Sequence, residues 1–159
     1  MAALPTERCV FCQFASDGKD SNGQEICRKD DFYIIKDIHP HAPHHYLVIP
    51  NQHIGSASTL TVRSKSTVME MNRIGRDYLQ QVLGEQQIDE TELRVGFHWP
   101  PLVSVSHLHM HILYPVSQIS FLYRYLVFRP GHFFRPVPQV LQFLDSVSDN
   151  NKGNSEQET

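Results

Sequence analysis

Two short runs rich in β-branched and aromatic residues, Phe32-Tyr33-Ile34-Ile35 and Tyr46-Leu47-Val48-Ile49, are bounded by Asp, Pro and Asn and predict strands. Pro40 and Pro43 lie between them and exclude a regular element there, so the connection should be tight. From residue 62 to 83 the apolar period changes. Val68, Met71, Gly75, Tyr78 and Val82 recur at spacings of three and four, with Ile74, Leu79 and Leu83 beside them. That spacing predicts one amphipathic helix with its charged residues turned away. A third strand is predicted over Leu93–Phe97 and a fourth over Val103–Leu113, strictly alternating from His107 onward. Two strands, a helix and two more strands predict an α+β fold built on an antiparallel sheet.

The remaining segments are less regular. Residues 16–31 are rich in turn formers and read as an exposed loop, and Cys27 within it has no evident task. Phe121–Phe134 is aromatic and basic, Pro136 and Pro138 open a short helix through Leu144, and residues 148–159 are polar enough to form a disordered tail. A chain of 159 residues with 40% hydrophobic positions supports one soluble domain, here residues 1–147. Met1–Arg8 lacks the apolar run of a secretory signal, and no stretch approaches the ~20 apolar residues of a membrane span. The expectation is a protein of the cytoplasm and nucleus that does not engage a membrane. A net charge of -3 gives no broad basic face, which argues against nucleic acid as a partner while leaving room for a local phosphate site.

Histidine is where the composition departs from the ordinary. Of ten histidines, five lie between His39 and His53 and three form His107-Leu108-His109-Met110-His111. On a strand, His107, His109 and His111 would share one face at steps of about 6.6 Å, with Leu108, Met110 and Ile112 on the other. A tri-histidine metal site is one reading of such a row, because neutral imidazole is a common metal ligand. A phosphate site is the other: imidazoles strung along one strand diverge from a single ion but can flank a phosphate, one as nucleophile and its neighbours as donors. Cys9-Val10-Phe11-Cys12 is a metal half-site or a pair of plain thiols.

Ser106-His107-Leu108-His109-Met110-His111-Ile112-Leu113 resembles the signature of the histidine triad family. Cys9–Cys12, Asp37-Ile38, Ala42–Pro50 and His53-Ile54 match further family segments in order, so the resemblance covers about residues 8–115, with 116–147 as a C-terminal extension. Gly96–Pro101 is similar to the Hint branch of that family, near aprataxin. The resemblance implies the family's fold: an antiparallel sheet of about five strands, one long amphipathic helix, and shorter N- and C-terminal helices.

It also implies roles. His109 would be the nucleophile, His111 would support the phosphate oxygens, His45 would reach the same site from the neighbouring strand, and Ser104 would lie near the bridging atom of the leaving group. Asp37 would accept the ribose hydroxyls, and Ile35, Ile38 and Phe11 or Phe14 would line the base pocket. The family often bears Asn where this chain has Gly96, so that nucleotide contact is either lost or supplied by His98. Cys9, Cys12, His53 and His107, the first triad histidine, would hold a structural zinc, with no catalytic metal. The implied activity is hydrolysis of purine nucleoside monophosphate conjugates, AMP-amine or acyl-AMP, through a nucleotidyl-histidine, in a homodimer or higher homo-oligomer. The alternatives are aprataxin-like removal of AMP from adenylated nucleic-acid ends, and a nucleotide-binding scaffold with little turnover.

Overall fold

The computed structural model describes residues 8–153. The expectations that fall on residues 1–7 and 154–159, namely the start of the chain and the end of the tail, lie outside the described residues. The fold is α+β. Six antiparallel strands, β1 Cys27–Lys29, β2 Phe32–Lys36, β3 His44–Pro50, β4 Arg94–His98, β5 Met110–Tyr114 and β6 Phe134–Pro136, form one sheet in the order β1-β2-β3-β5-β4-β6. The helices are α1 Val10–Asp17, α2 Lys65–Leu83 and α3 Val137–Gly153. Among the described residues no helix is long and apolar enough to cross a membrane.

Strand alternation divides the sheet into two unlike faces. Phe32, Ile34, Tyr46, Val48, Val95, Phe97, Met110 and Ile112 point to one face, where Val68, Met71, Ile74 and Leu79 of α2 and Val140 and Leu144 of α3 close the main core. Gly75 lets α2 settle onto β5, since a Cβ there would run into Ile112 and lie 3.0 Å from Val48. The apolar stripe of α2 is thus covered by the chain's own sheet. The opposite face is covered in two pieces. At one end α1 and the Cys9 that precedes it pack on Tyr33, Ile35, Leu47 and Ile49, with Phe11 from the helix, and the Tyr33 hydroxyl donates to the Phe11 carbonyl at 2.7 Å. At the other, residues 115–134 pack Val116, Ile119 and Phe128 on Leu113, Phe134 and Ala42. His45 and His111 lie in the strip between the two covers.

Four differences from the expected elements matter. The sheet has six strands rather than about five, because β1 forms within the polar 16–31 segment and β6 within the aromatic tail. Each is only three residues long and is held by its neighbour, which leaves little periodicity to read. The long helix begins at Lys65, after a 3₁₀ turn at Val62–Ser64. The last helix is longer than expected and runs to Gly153, into the stretch read as a tail. Finally, Val103–His109 is not strand. There the Leu108 N–H donates to the Ile54 carbonyl at 2.7 Å and the His107 carbonyl accepts from the ring of His109, so the chain joins the ladder only at Met110. The three histidines therefore do not form a row on one strand face.

Ile112→Ala removes a side chain with no exposed surface from the centre of the main core and should lower unfolding free energy by about 2–5 kcal/mol, read from the urea midpoint. Met69→Ala, on the half-exposed side of α2, should change it by no more than about 0.5 kcal/mol.

Candidate active site

A cavity of about 380 Å³ opens between α1 and the end of β2. Phe11, Phe14, Ile35, Ile38, Leu47 and Val105 line its apolar part, and Asp37, Ser104, His109 and His111 are among its polar residues. Its size and lining suit one small organic ligand with a polar end. The cavity brings together eight of the residues singled out in the sequence: Phe11, Phe14, Ile35, Asp37, Ile38, Ser104, His109 and His111. His45, His98 and His107 are not on its wall. Asp20, Ser21, Asn22 and Leu47 are on it although the sequence reading missed them. Leu47 could have been found, since it shares a strand face with His45, whereas the 20–22 turn carries no local signal for a pocket.

The hydrogen-bond partners of the imidazoles fix which nitrogen carries each proton. His109 Nδ1 lies 2.7 Å from the His107 carbonyl, which can only accept, so Nδ1 is protonated and Nε2 keeps a free lone pair. His45 Nδ1 accepts from the His41 backbone N–H at 3.1 Å, so His45 carries its proton on Nε2. That nitrogen stands 3.0 Å from His111 Nδ1 and 3.4 Å from Asp37 Oδ2. His111 Nδ1, facing a donor, is therefore bare, and its proton resides on Nε2, a buried atom with no partner among the described residues, on a residue that lines the cavity. The result is a bare nitrogen on His109 and a protonated one on His111, on neighbouring rings 5.2 Å apart. An unpaired buried N–H is costly unless a ligand accepts from it.

Burial keeps these rings neutral. It pulls the His45 pKa down to about 3 and that of His98 to about 4, and it lowers those of His109 and His111, His111 also through His109, His98, His45 and His41 around it. Burial moves Asp37 the other way, raising its pKa, opposed first by the His39 N–H that donates to Oδ1 at 2.8 Å and then by nearby imidazoles. Asp37 therefore offers the cavity an acceptor only partly occupied by protein donors. His98 lies across His111, ring centroids 4.6 Å apart at 75°, on the β4 side. Gly96 beside it faces the backbone carbonyl of Arg135 so closely that a Cβ would collide, so β6 fills the space in which any longer side chain would have to lie.

His107 belongs to a second cluster. Its Nε2 donates to the Pro50 carbonyl at 2.9 Å, which leaves Nδ1 bare and aimed at Cys9 Sγ, 3.4 Å away, and Cys12 Sγ, 3.5 Å away. His53 Nδ1 is 3.2 Å from Cys12 Sγ. All four ligand atoms lie within 4.8 Å of one another. The sulfur–nitrogen separations are close to the roughly 3.5 Å edges of a tetrahedron with ordinary Zn–S and Zn–N bonds. Burial and the adjacent Cys9 push the Cys12 thiol up to about 11, a proton that a divalent cation would displace. The donor set fits a closed tetrahedral metal. Phe11 stands between the two clusters, 5.8 Å from the His107 ring and 5.2 Å from that of His109.

Residues 8–125 match the family model described as scavenger mRNA decapping enzyme C-term binding. Among curated proteins the chain is 36% identical over 139 residues to adenosine 5'-monophosphoramidase HINT3 of Xenopus tropicalis, covering 87% of this chain and 88% of that protein. It is 40% identical over 111 residues to HINT3 of Danio rerio, covering 70% and 67%. Among solved structures, a HIT family hydrolase from Clostridium thermocellum superposes with a TM-score of 0.56 at 29% identity, covering 70% of this chain and 92% of that one.

The neutral imidazoles predict how stability depends on pH. Their folded-state pKa values lie below the unfolded value near 6.5, so as pH falls through about 6.5 the unfolded chain takes up protons that the folded chain refuses. Stability present above that pH should be lost on going down, toward pH 4 for His98 and pH 3 for His45. Asp37, with its pKa raised, acts in the opposite sense, one group against several. Urea midpoints at pH 7 and pH 5 should show the decline, and equal midpoints would contradict the neutral cluster.

Proposed function

The chain belongs to the histidine triad family, and on that premise we propose that it is a nucleotidyl hydrolase that splits the P–N bond between AMP and an amine through a nucleotidyl-histidine on His109. The observation that carries this reading is the pair of opposite tautomers, a bare Nε2 on His109 beside a protonated Nε2 on His111. Attack needs the first and the phosphate oxygens need the second. The phosphoramidase relatives support the substrate class.

In this reading the purine sits among Phe11, Phe14, Ile35, Ile38 and Leu47, with the ribose hydroxyls on Asp37. His109 Nε2 attacks the α-phosphorus and the P–N bond breaks. The amine leaves with a proton passed from solvent through the Ser104 hydroxyl. Positive charge that builds on the His109 ring is held by the Nδ1–H bond to the His107 carbonyl. His111 Nε2–H donates to a non-bridging oxygen whose charge grows in the transition state, a contact commonly worth a few kcal/mol. Water then attacks the same phosphorus, the bond from phosphorus to His109 Nε2 breaks, and the water's proton passes to solvent, releasing AMP and returning His109 to its starting tautomer. Acyl-AMP would enter the same cycle.

A zinc ion on Cys9, Cys12, His53 and His107 is part of the proposal. It would supply a structural crosslink between α1, the turn after β3 and the approach to β5, and it has no open position for chemistry. The homodimer implied by the family resemblance and the cytoplasmic and nuclear setting expected from the sequence belong to the same proposal; three free cysteines suit a reducing compartment.

His109→Ala should lower kcat/KM for an AMP-amine by about 1000-fold or more, and rapid quench of the unsubstituted protein should trap an AMP adduct on His109 by mass spectrometry. Activity near that of the unsubstituted protein would sink the mechanism. Metal analysis should find one zinc per chain, and a strong chelator should remove it and lower the melting temperature by several degrees. A protein with no bound metal and a chelator-insensitive melt would refute the zinc assignment.

A further inference from the structure

The cover formed by residues 115–134 reaches the histidine strip through one side chain. Phe128 is 2% exposed. Its ring centroid lies 4.9 Å from that of His98, 5.5 Å from His41, 5.5 Å and edge-on from His45, and 5.7 Å from His111. Phe134 backs it at 5.6 Å. The backbone at Phe128 is pinned: its N–H donates to the Tyr123 carbonyl at 2.8 Å, and Arg94 of β4 donates to its carbonyl at 2.9 Å. Tyr123 in turn stacks on His41 at 3.8 Å, and the His41 amide is the donor that sets the His45 tautomer. Titratable groups face His45 and His111 from every side except the extension: Asp37 and His41 from the β2–β3 connection, His98 from β4 and His109 from the approach to β5. Arg94 turns instead to the carbonyls of Arg124 and Phe128.

Resting on the reading of His111 as the phosphate donor, we propose that Phe128 is a positioning residue for the reaction. Its ring fills the space beside His45 and His111 on the side away from α1, so the chain His41 N–H to His45 to His111 has a single arrangement that keeps the His111 proton on Nε2. The reason is geometric and chemical. The His41 N–H on His45 Nδ1 and the contact between His45 Nε2 and His111 Nδ1 are fixed, and a water in place of the ring could donate to or accept from these nitrogens instead. A gap beside imidazoles is polar enough to be hydrated, unlike one lined by carbon alone. Once hydrated, His45 could take a second proton at Nδ1, which would expel the His41 N–H and turn His45 away from His111. Burial, which keeps both rings neutral, supports the same reading.

The test uses the zinc-replete full-length chain with Phe128→Ala, Phe128→Val and, for comparison, Ile119→Ala. Ile119 is equally buried in the same apolar cluster as Phe128 but makes none of its ring contacts with the histidines. Long-range ¹H–¹⁵N spectra of the imidazoles read protonation and tautomer directly, without substrate. In the unsubstituted protein and Ile119→Ala, His45 and His111 should be neutral with the proton on Nε2 at both pH 7 and pH 5. In Phe128→Ala one or both should be imidazolium at pH 5, and kcat/KM for an AMP-amine should fall at least about tenfold further at pH 5 than at pH 7 relative to the unsubstituted protein. If Phe128→Ala does not fold, Phe128→Val, which leaves room for one water, decides by the same readings. Two neutral Nε2–H rings at pH 5 in the folded variant, or titrating rings with an unaltered activity ratio, would overturn the proposal. An unsubstituted protein inert toward AMP-amines would fault the hydrolase reading instead, and the spectra would report on the ring arrangement regardless.

Discussion

Several imidazoles buried side by side can coexist only if they are neutral, and the site depends on that constraint. A neutral ring has one donor and one acceptor, so each fixed partner on one nitrogen dictates the state of the other. The His107 carbonyl leaves His109 Nε2 bare, the His41 amide makes His45 a donor at Nε2, His45 leaves the proton of His111 on Nε2, and the Pro50 carbonyl turns the bare nitrogen of His107 toward two thiols. Among the described residues no lysine or arginine contact to these four rings is involved. The polarity of the site comes from backbone groups, which cannot change their donor or acceptor character, and this makes the arrangement robust to anything short of a backbone shift or an entering water.

The sheet supplies what this chain of partners needs. Its main-core face is sealed by α2 and α3, and Gly75 brings α2 close to β5. With β5 held from behind, His111 is presented on the other face, between α1 and residues 115–134. The departure of Val103–His109 from strand geometry is equally necessary. A continued strand would have aligned three like rings on one face, whereas the bend sends His107 to the cysteines and leaves His109 and His111 at the cavity. One short segment thereby serves two clusters, with Phe11 separating them.

Much of this was legible along the chain. The runs at Phe32–Ile35 and Tyr46–Ile49, the three-and-four spacing from Val68 to Val82 and the His-x-His-x-His pattern lead to β2, β3, α2 and the approach to β5 without further information. So does the grouping of Phe11, Ile35, Asp37, Ile38, Ser104, His109 and His111, through the family resemblance. The short edge strands β1 and β6 were not legible, because three residues paired to one neighbour carry no period. The bend before Met110 was hidden because alternation is equally consistent with a strand, and the choice was made by the Ile54 and His107 carbonyls.

Local sequence determined which residues could titrate, ligate or attack, since those properties belong to the side chain itself, and it determined the layers, since burying apolar periodicity is the main driving force for folding. Tertiary structure alone decided what each histidine is. Ten identical imidazoles differ only in the partners that meet their two nitrogens: His41 and His107 lie near in sequence to the rings they meet, but only the folded chain brings Pro50 to His107 across 57 residues and His45 to His111 across 66. It also decided that Phe128, indistinguishable in sequence from the other aromatics of the tail, is the one set against four histidine rings, because only the packing of residues 115–134 onto the open face brings it there.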